Sequence, residues 1–93
     1  MLILGFECNM MSDAEFDLLD ELYFVQPYSY LSETLGWEDQ LLLETLNSLY
    51  LAGLVKCLDA ADEERFDPVN VLEEGKDLYF LATKKGLMAH NAL

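Results

Sequence analysis

Apolar residues recur every three or four positions from Phe16 to Tyr50, and near residues 78–81 Leu78 and Phe80 alternate against Tyr79 and Leu81. The first spacing predicts amphipathic helices and the second a strand. The stretch "MSDAEF" carries a helix start. Ser12 stands at the N-cap with Glu15 three positions on, a capping box, and Met11 and Phe16 occupy the staple positions around it. Phe16, Leu19, Leu22 and Tyr23 then share one face, with Asp13, Asp17, Asp20 and Glu21 opposite. This predicts a helix over 13–25, closed by Pro27. Pro27 is also suited to the first position of the next helix, where its missing N–H costs nothing. That helix is predicted over 28–35, with Tyr28, Leu31 and Leu35 inward and Gly36 as its stop.

A tight turn at Gly36-Trp37 leads to Glu38 and Asp39, which favour a helix N-terminus. The third helix is predicted over 38–52, with Leu42, Leu43, Leu46, Leu49 and Tyr50 on its core face and Gly53 beyond its end. "LVKCLDA" and "DLYFLAT" predict strands over 54–60 and 77–83 that pair antiparallel. Between them, "ADEERFDPVNVLEEGK" is polar and acidic, contains Pro68, and reads as a long hairpin loop. "KKGLMAHNAL" reads as a short terminal helix or turn, and "LILGFEC" as a candidate extra N-terminal strand. The chain thus divides into an apolar segment, 1–11, and one domain, 12–93.

Ninety-three residues make a single small domain. Its 53% apolar and 25% charged residues are those of a folded chain. Eighteen acids against five bases give a net charge of −13. Ten of the acids, and none of the Lys or Arg, lie in residues 1–55. Such a field disfavours nucleic acid and anionic lipid and favours basic partners. "MLILGFECNMM" lacks the basic region and cleavage site of a signal peptide, and no apolar run reaches the roughly 18 residues of a membrane span. Two cysteines make no disulfide framework. A cytoplasmic protein, with no membrane partner, is expected.

The order helix, short helix, turn, helix, strand, loop, strand, helix resembles the winged helix-turn-helix superfamily over about residues 12–90. "LSETLGWEDQLLLETLNSLYLAGLV" carries the likeness, as does "LYFLATKKGLMAH", which resembles the closing strand and Thr-x-x-Gly turn of MarR-like and PadR-like regulators. The resemblance implies an α+β fold, three helices plus a two-stranded antiparallel wing. Proteins of this kind are mostly dimeric DNA-binding regulators, though many winged helices mediate only protein contacts, so the likeness sets a prior for function and no more.

The third helix departs from that pattern. Opposite its core face stand Gln40, Glu44, Asn47, Ser48 and Leu51. In a DNA-binding relative this face meets bases and phosphates, and affinity comes largely from Lys and Arg. Here there are none, and Arg65 and Lys76 in the wing are diluted by Asp62, Glu63, Glu64, Asp67, Glu73 and Glu74. A protein-contact surface of Gln40, Leu41, Glu44, Asn47 and Leu51, with Trp37 and Tyr30 nearby, is therefore expected. The plainer readings are that single surface leucines are ordinary and that Trp37 plugs the gap between two helices. A homodimer is expected through the termini, with Leu2, Leu4, Phe6, Leu87 and Met88 as contacts.

Little else carries chemistry. His90 is the sole histidine and is expected at the surface or as a cap. Neither it nor Cys8 and Cys57 has ligand spacing, and Cys57 reads as a small buried hydrophobe. The acidic loop lacks the spacing of a calcium-binding loop. No nucleophile, base and orienter come together, so no enzyme, cofactor or metal is expected. The preferred function is a small acidic winged-helix regulatory or adaptor module acting through protein contact, its partner basic. The alternative is a dimeric winged-helix transcriptional regulator, and a weaker one is a DNA mimic.

Overall fold

The computed structural model describes residues 11–91. The helices are α1 (Asp13–Asp20), α2 (Tyr28–Leu35), α3 (Asp39–Leu51), the single turn α4 (Val71–Glu74) and α5 (Lys84–Asn91). The strands are β1 (Gln26–Pro27), β2 (Val55–Ala60), β3 (Glu63–Glu64) and β4 (Tyr79–Ala82), and a 3-10 turn spans Gly75–Asp77. The fold is α+β, with the strands in one antiparallel sheet of order β1-β4-β2-β3.

The capping box at α1 is present. Ser12 Oγ accepts from Glu15 N at 3.1 Å, and Glu15 Oε1 accepts from Ser12 N at 2.9 Å. The helix stops at Asp20, short of the expected residue 25. Leu22 keeps the burial its spacing predicts, but its carbonyl accepts from Ala82 N at 2.9 Å. That bond to the end of β4 turns the chain into β1, which pairs Gln26 with Phe80 and Pro27 with Tyr79. Pro27 is consequently the extended N-cap of α2 instead of its first residue.

On α3, Leu42, Leu46 and Leu49 are buried as expected, with Leu43 and Tyr50 packed at the edge of the core. Thr45 is buried beside them because its hydroxyl donates to Leu41 O, 2.7 Å away, which satisfies it within the helix. The expected pairing of β2 with β4 is present, Val55 opposite Ala82 and Cys57 opposite Phe80. Those four side chains are buried and join Leu18, Leu19, Leu31 and the α3 leucines in one core.

The two-stranded wing and its structureless loop need correction. The sheet has four strands, because β1 adds to β4 and β3 returns onto β2. The rest of the segment 61–76 folds back on α3. Val69 and Val71 enter the core, Val69 N donates to the Tyr50 hydroxyl at 3.1 Å, and Asn70 Oδ1 caps α4 by accepting from Glu73 N. The few apolar residues of this segment, scattered among its acids, supply too weak a periodicity to tell the buried Val69 and Val71 from the exposed Phe66 and Leu72 without the surface they meet. The candidate strand "LILGFEC", with Cys8, lies outside the described residues.

The Thr-x-x-Gly turn, Thr83 to Gly86, ties two corners together. Thr83 Oγ1 accepts from Gly86 N at 3.1 Å, capping α5, and donates to Gly53 O at 2.7 Å. Gly53 has φ +79°, a left-handed conformation that closes α3 and suits a residue without Cβ. Thr83 N donates to Leu54 O, and Lys85 Nζ donates to Ala52 O at 3.0 Å, placing a cation at the negative end of α3. A Cβ on Gly86 would lie 2.0 Å from Leu54 O. Gly86→Ala is therefore expected to lose about 1–3 kcal/mol or more, the cost of forcing packed backbone apart. Thr83→Val should lose about 1–2 kcal/mol, and Thr83→Ser much less, since it keeps the hydroxyl. Urea unfolding midpoints decide, and a wild-type midpoint for Gly86→Ala would refute the close approach.

Candidate functional site

The capping box that starts α1 also places Glu15 against α3. Its Oε2 accepts from the Ser48 hydroxyl at 2.8 Å. Between the two helices lies an open cleft of about 310 Å3 lined by Ser12, Glu15, Leu41, Glu44, Thr45 and Ser48. Thr45 and Ser48 already donate to protein oxygens. Glu44 has one contact among the described residues, 3.3 Å from Gln40 Nε2, and is otherwise open to solvent. Two carboxylates line the cleft and no cation does.

The expected contact residues divide. Leu41 and Glu44 line the cleft. Gln40 adjoins it through Glu44, and Leu51 stands 74% exposed two turns beyond Glu44. Asn47 is half-buried on the flank. Trp37 is half-buried and packs against the core, and Tyr30 points its hydroxyl at Glu21, 3.2 Å away. Neither lines the cleft. Ser12, Glu15 and Thr45 are lining residues that sequence reasoning did not assign to a site; the Glu15 of the capping box was visible, but its reach to Ser48 across 33 positions was not.

The cations matter as much as the acids. Among the described residues, four of the five have an internal partner: Lys56 with Glu64 at 2.9 Å, Arg65 with Asp59 at 3.0 Å, Lys76 with Asp39 at 3.1 Å, and Lys85 with Ala52 O. Arg65 also meets Glu74 at 3.2 Å and Asp67 at 3.6 Å. Asp59 first, then Glu74, push its guanidinium pKa higher still. Exposed pairs of this kind add little stability, but they occupy the charges a phosphate backbone would need.

Two further groups show what local environment does. Cys57 is buried, as expected, and burial pushes its thiol up to about 12 against the opposing pull of Arg65. A thiol so held is a poor nucleophile. His90, expected at the surface or as a cap, is packed against α1. Its side chain is 10% exposed, its ring stacks on Phe16 with centroids 4.1 Å apart, and Nδ1 lies 2.8 Å from the Tyr23 hydroxyl. No group of three or more His, Cys, Asp or Glu among the described residues has the geometry to hold a metal. No helix among them is long and apolar enough to cross a membrane.

Compared with known proteins, the chain matches no family model, curated protein or solved structure.

The start of α3 offers a titration that reports on this geometry. Asp39 accepts from the Tyr28 hydroxyl at 2.7 Å. That bond first, and Lys76 second, hold the Asp39 carboxyl below its usual range, while burial and the same carboxylate push the Tyr28 hydroxyl up. A depressed carboxyl stabilises the fold above the unfolded pKa of about 3.9, and this is lost as the pH falls through its lower folded value. Tyr28→Phe is expected to move the Asp39 midpoint upward in a carboxyl NMR titration. An unmoved midpoint would show that the hydrogen bond is not the cause. Alkylation of Cys57, localised by mass spectrometry at pH 8, is expected only as fast as the protein unfolds. Rapid labelling in the native state would contradict its burial.

Proposed function

We propose that the chain is a small winged-helix regulatory or adaptor module that acts through protein contact, using the outward face of α3. The fold reading rests on the order α1-β1-α2-α3-β2-β3-β4 and on the Thr-x-x-Gly corner after β4. The observation that carries the functional reading is the disposition of charge. The face that meets phosphates in a DNA-binding winged helix bears Glu44 and no cation, and the wing cations Arg65, Lys56 and Lys76 are engaged with carboxylates of the same chain. Duplex affinity scales with the phosphates that Lys and Arg neutralise. Binding through Arg65 would first require breaking its contacts to Asp59 and Glu74.

No appreciable binding to random duplex DNA is expected at near-physiological salt. A mobility-shift assay showing micromolar or tighter binding that falls steeply with salt would overturn the adaptor reading in favour of a transcriptional regulator. Capture of the tagged protein from its own cells, with and without nuclease, applies the same choice in vivo. Protein partners that resist nuclease support the adaptor, and co-purified DNA removes it.

Self-association belongs to the same reading. Of the α5 residues expected in a two-fold contact, Leu87 packs on its own core and Met88 is exposed. Leu2, Leu4 and Phe6 lie outside the described residues. Apolar burial, at about 25 cal/mol per Å2, has to outweigh repulsion between two chains of −13 each. Salt screens that repulsion. Dimerisation is therefore expected to strengthen from low to moderate salt in sedimentation, opposite to a DNA complex. A strict monomer at high micromolar concentration would remove self-association from the proposal.

A further inference from the structure

Resting on the reading of α3 as a contact surface, we infer that Leu41, Glu44, Ser48 and Leu51 seat a basic amphipathic helix from a different protein, one cationic side chain of which enters the cleft between Glu15 and Glu44. At the period of an α-helix these four positions fall within an arc of about 80° and span about 15 Å along the axis. Both ends of the stripe are apolar and exposed, Leu41 at 45% and Leu51 at 74%. Its middle is a carboxylate and a hydroxyl, and the cleft opens beside the Leu41 end. At about 310 Å3 the cleft sits at the low end of the roughly 300–1,000 Å3 of small-molecule sites, room for a side chain more than for a cofactor.

Charge complementarity selects the occupant. The cleft bears Glu15 and Glu44, and a guanidinium or ammonium would find the open oxygens of Glu44 with Glu15 opposite. A wholly apolar partner would bury Glu44 without a counter-charge, at a desolvation cost its leucine contacts do not repay. A second copy seated face to face is disfavoured, because residues 1–55 hold no Lys or Arg to meet the acids of its twin. Nucleic acid and anionic lipid are repelled for the same reason. The stripe runs along three turns of a helix, so the matching ligand is another helix, with apolar residues flanking a basic centre.

The test is a titration of the isotope-labelled chain with a helical peptide. It carries two leucines about ten positions apart with arginines between them, the complement of the stripe. A scrambled peptide of equal composition is the comparison. The ordered peptide is expected to bind at least about tenfold tighter than its scramble, with amide shifts concentrated at residues 12–15 and 40–51. Glu44→Gln and Leu51→Ala, both solvent-facing and tolerable to the fold, should each weaken it by about threefold or more. Glu63→Gln in β3 should not. Equal affinity for the two peptides, shifts centred on the acidic wing at 59–67, or indifference to Glu44→Gln would each overturn the assignment. A nuclease-resistant partner from cells that survives Glu44→Gln and Leu51→Ala together removes the α3 face as the contact surface but leaves protein contact as the mode of action standing. DNA binding removes both.

Discussion

The close contact of Gly86 with the carbonyl of Leu54 is the constraint on which the rest of the molecule turns. Only a residue without Cβ lets the start of α5 approach the α3–β2 corner so nearly. Thr83 then reaches Gly53 O and caps α5 with the same hydroxyl, and Lys85 reaches the last turn of α3. These contacts join the end of α3 to the start of α5 beside the first residues of β2. With that end held, Leu42, Leu46 and Leu49 pack in the core while Leu41, Glu44, Ser48 and Leu51 face away from it or along its edge.

Electrostatics acts in the opposite sense to packing. An excess of thirteen negative charges works against compactness. The chain blunts this locally by threading its few cations among carboxylates: Arg65 stands among Asp59, Asp67 and Glu74, and Lys76 ties the 3-10 turn to the start of α3 through Asp39. Each exposed pair is weak, so the gain lies in arrangement more than in stability. Among the described residues, four of the five cations have an internal partner, while Asp13, Asp17 and Asp20 on α1 and Glu44 on α3 are exposed. This asymmetry is the opposite of what contact with a phosphate backbone requires.

Segment 61–76 illustrates how a polar sequence acquires structure from its neighbours. Val69 and Val71 are buried, the Tyr50 hydroxyl accepts the backbone N–H of Val69, and a Cβ on Gly75 would lie 2.7 Å from the Leu43 side chain. The segment thereby covers one flank of α3, at Leu43 and Tyr50. β3, by contrast, rests on two residues paired to β2 across a register shift, and its outer edge is blunted by charge, a usual device against edge-to-edge association.

The sequence alone determined what local periodicity and local capping can determine. The Ser12–Glu15 box, the α2 stop at Gly36, the core face of α3, and the alternation of Leu78 and Phe80 against Tyr79 and Leu81 are all present as read. So was the base-free character of the outward α3 face with its single carboxylate, because a helix period places Glu44 and Leu51 opposite Leu42 and Leu46 without knowledge of anything else. What the tertiary structure decided depends on partners far along the chain. Leu22 gives its carbonyl to Ala82, which ends α1 early and creates β1; Glu15 meets Ser48 and so makes a cleft; His90 stacks on Phe16 instead of facing water; and the wing cations find carboxylates. Periodicity reports which face of an element is buried, but it carries no information about which distant group will lie against it, and the cleft exists only where two such faces meet.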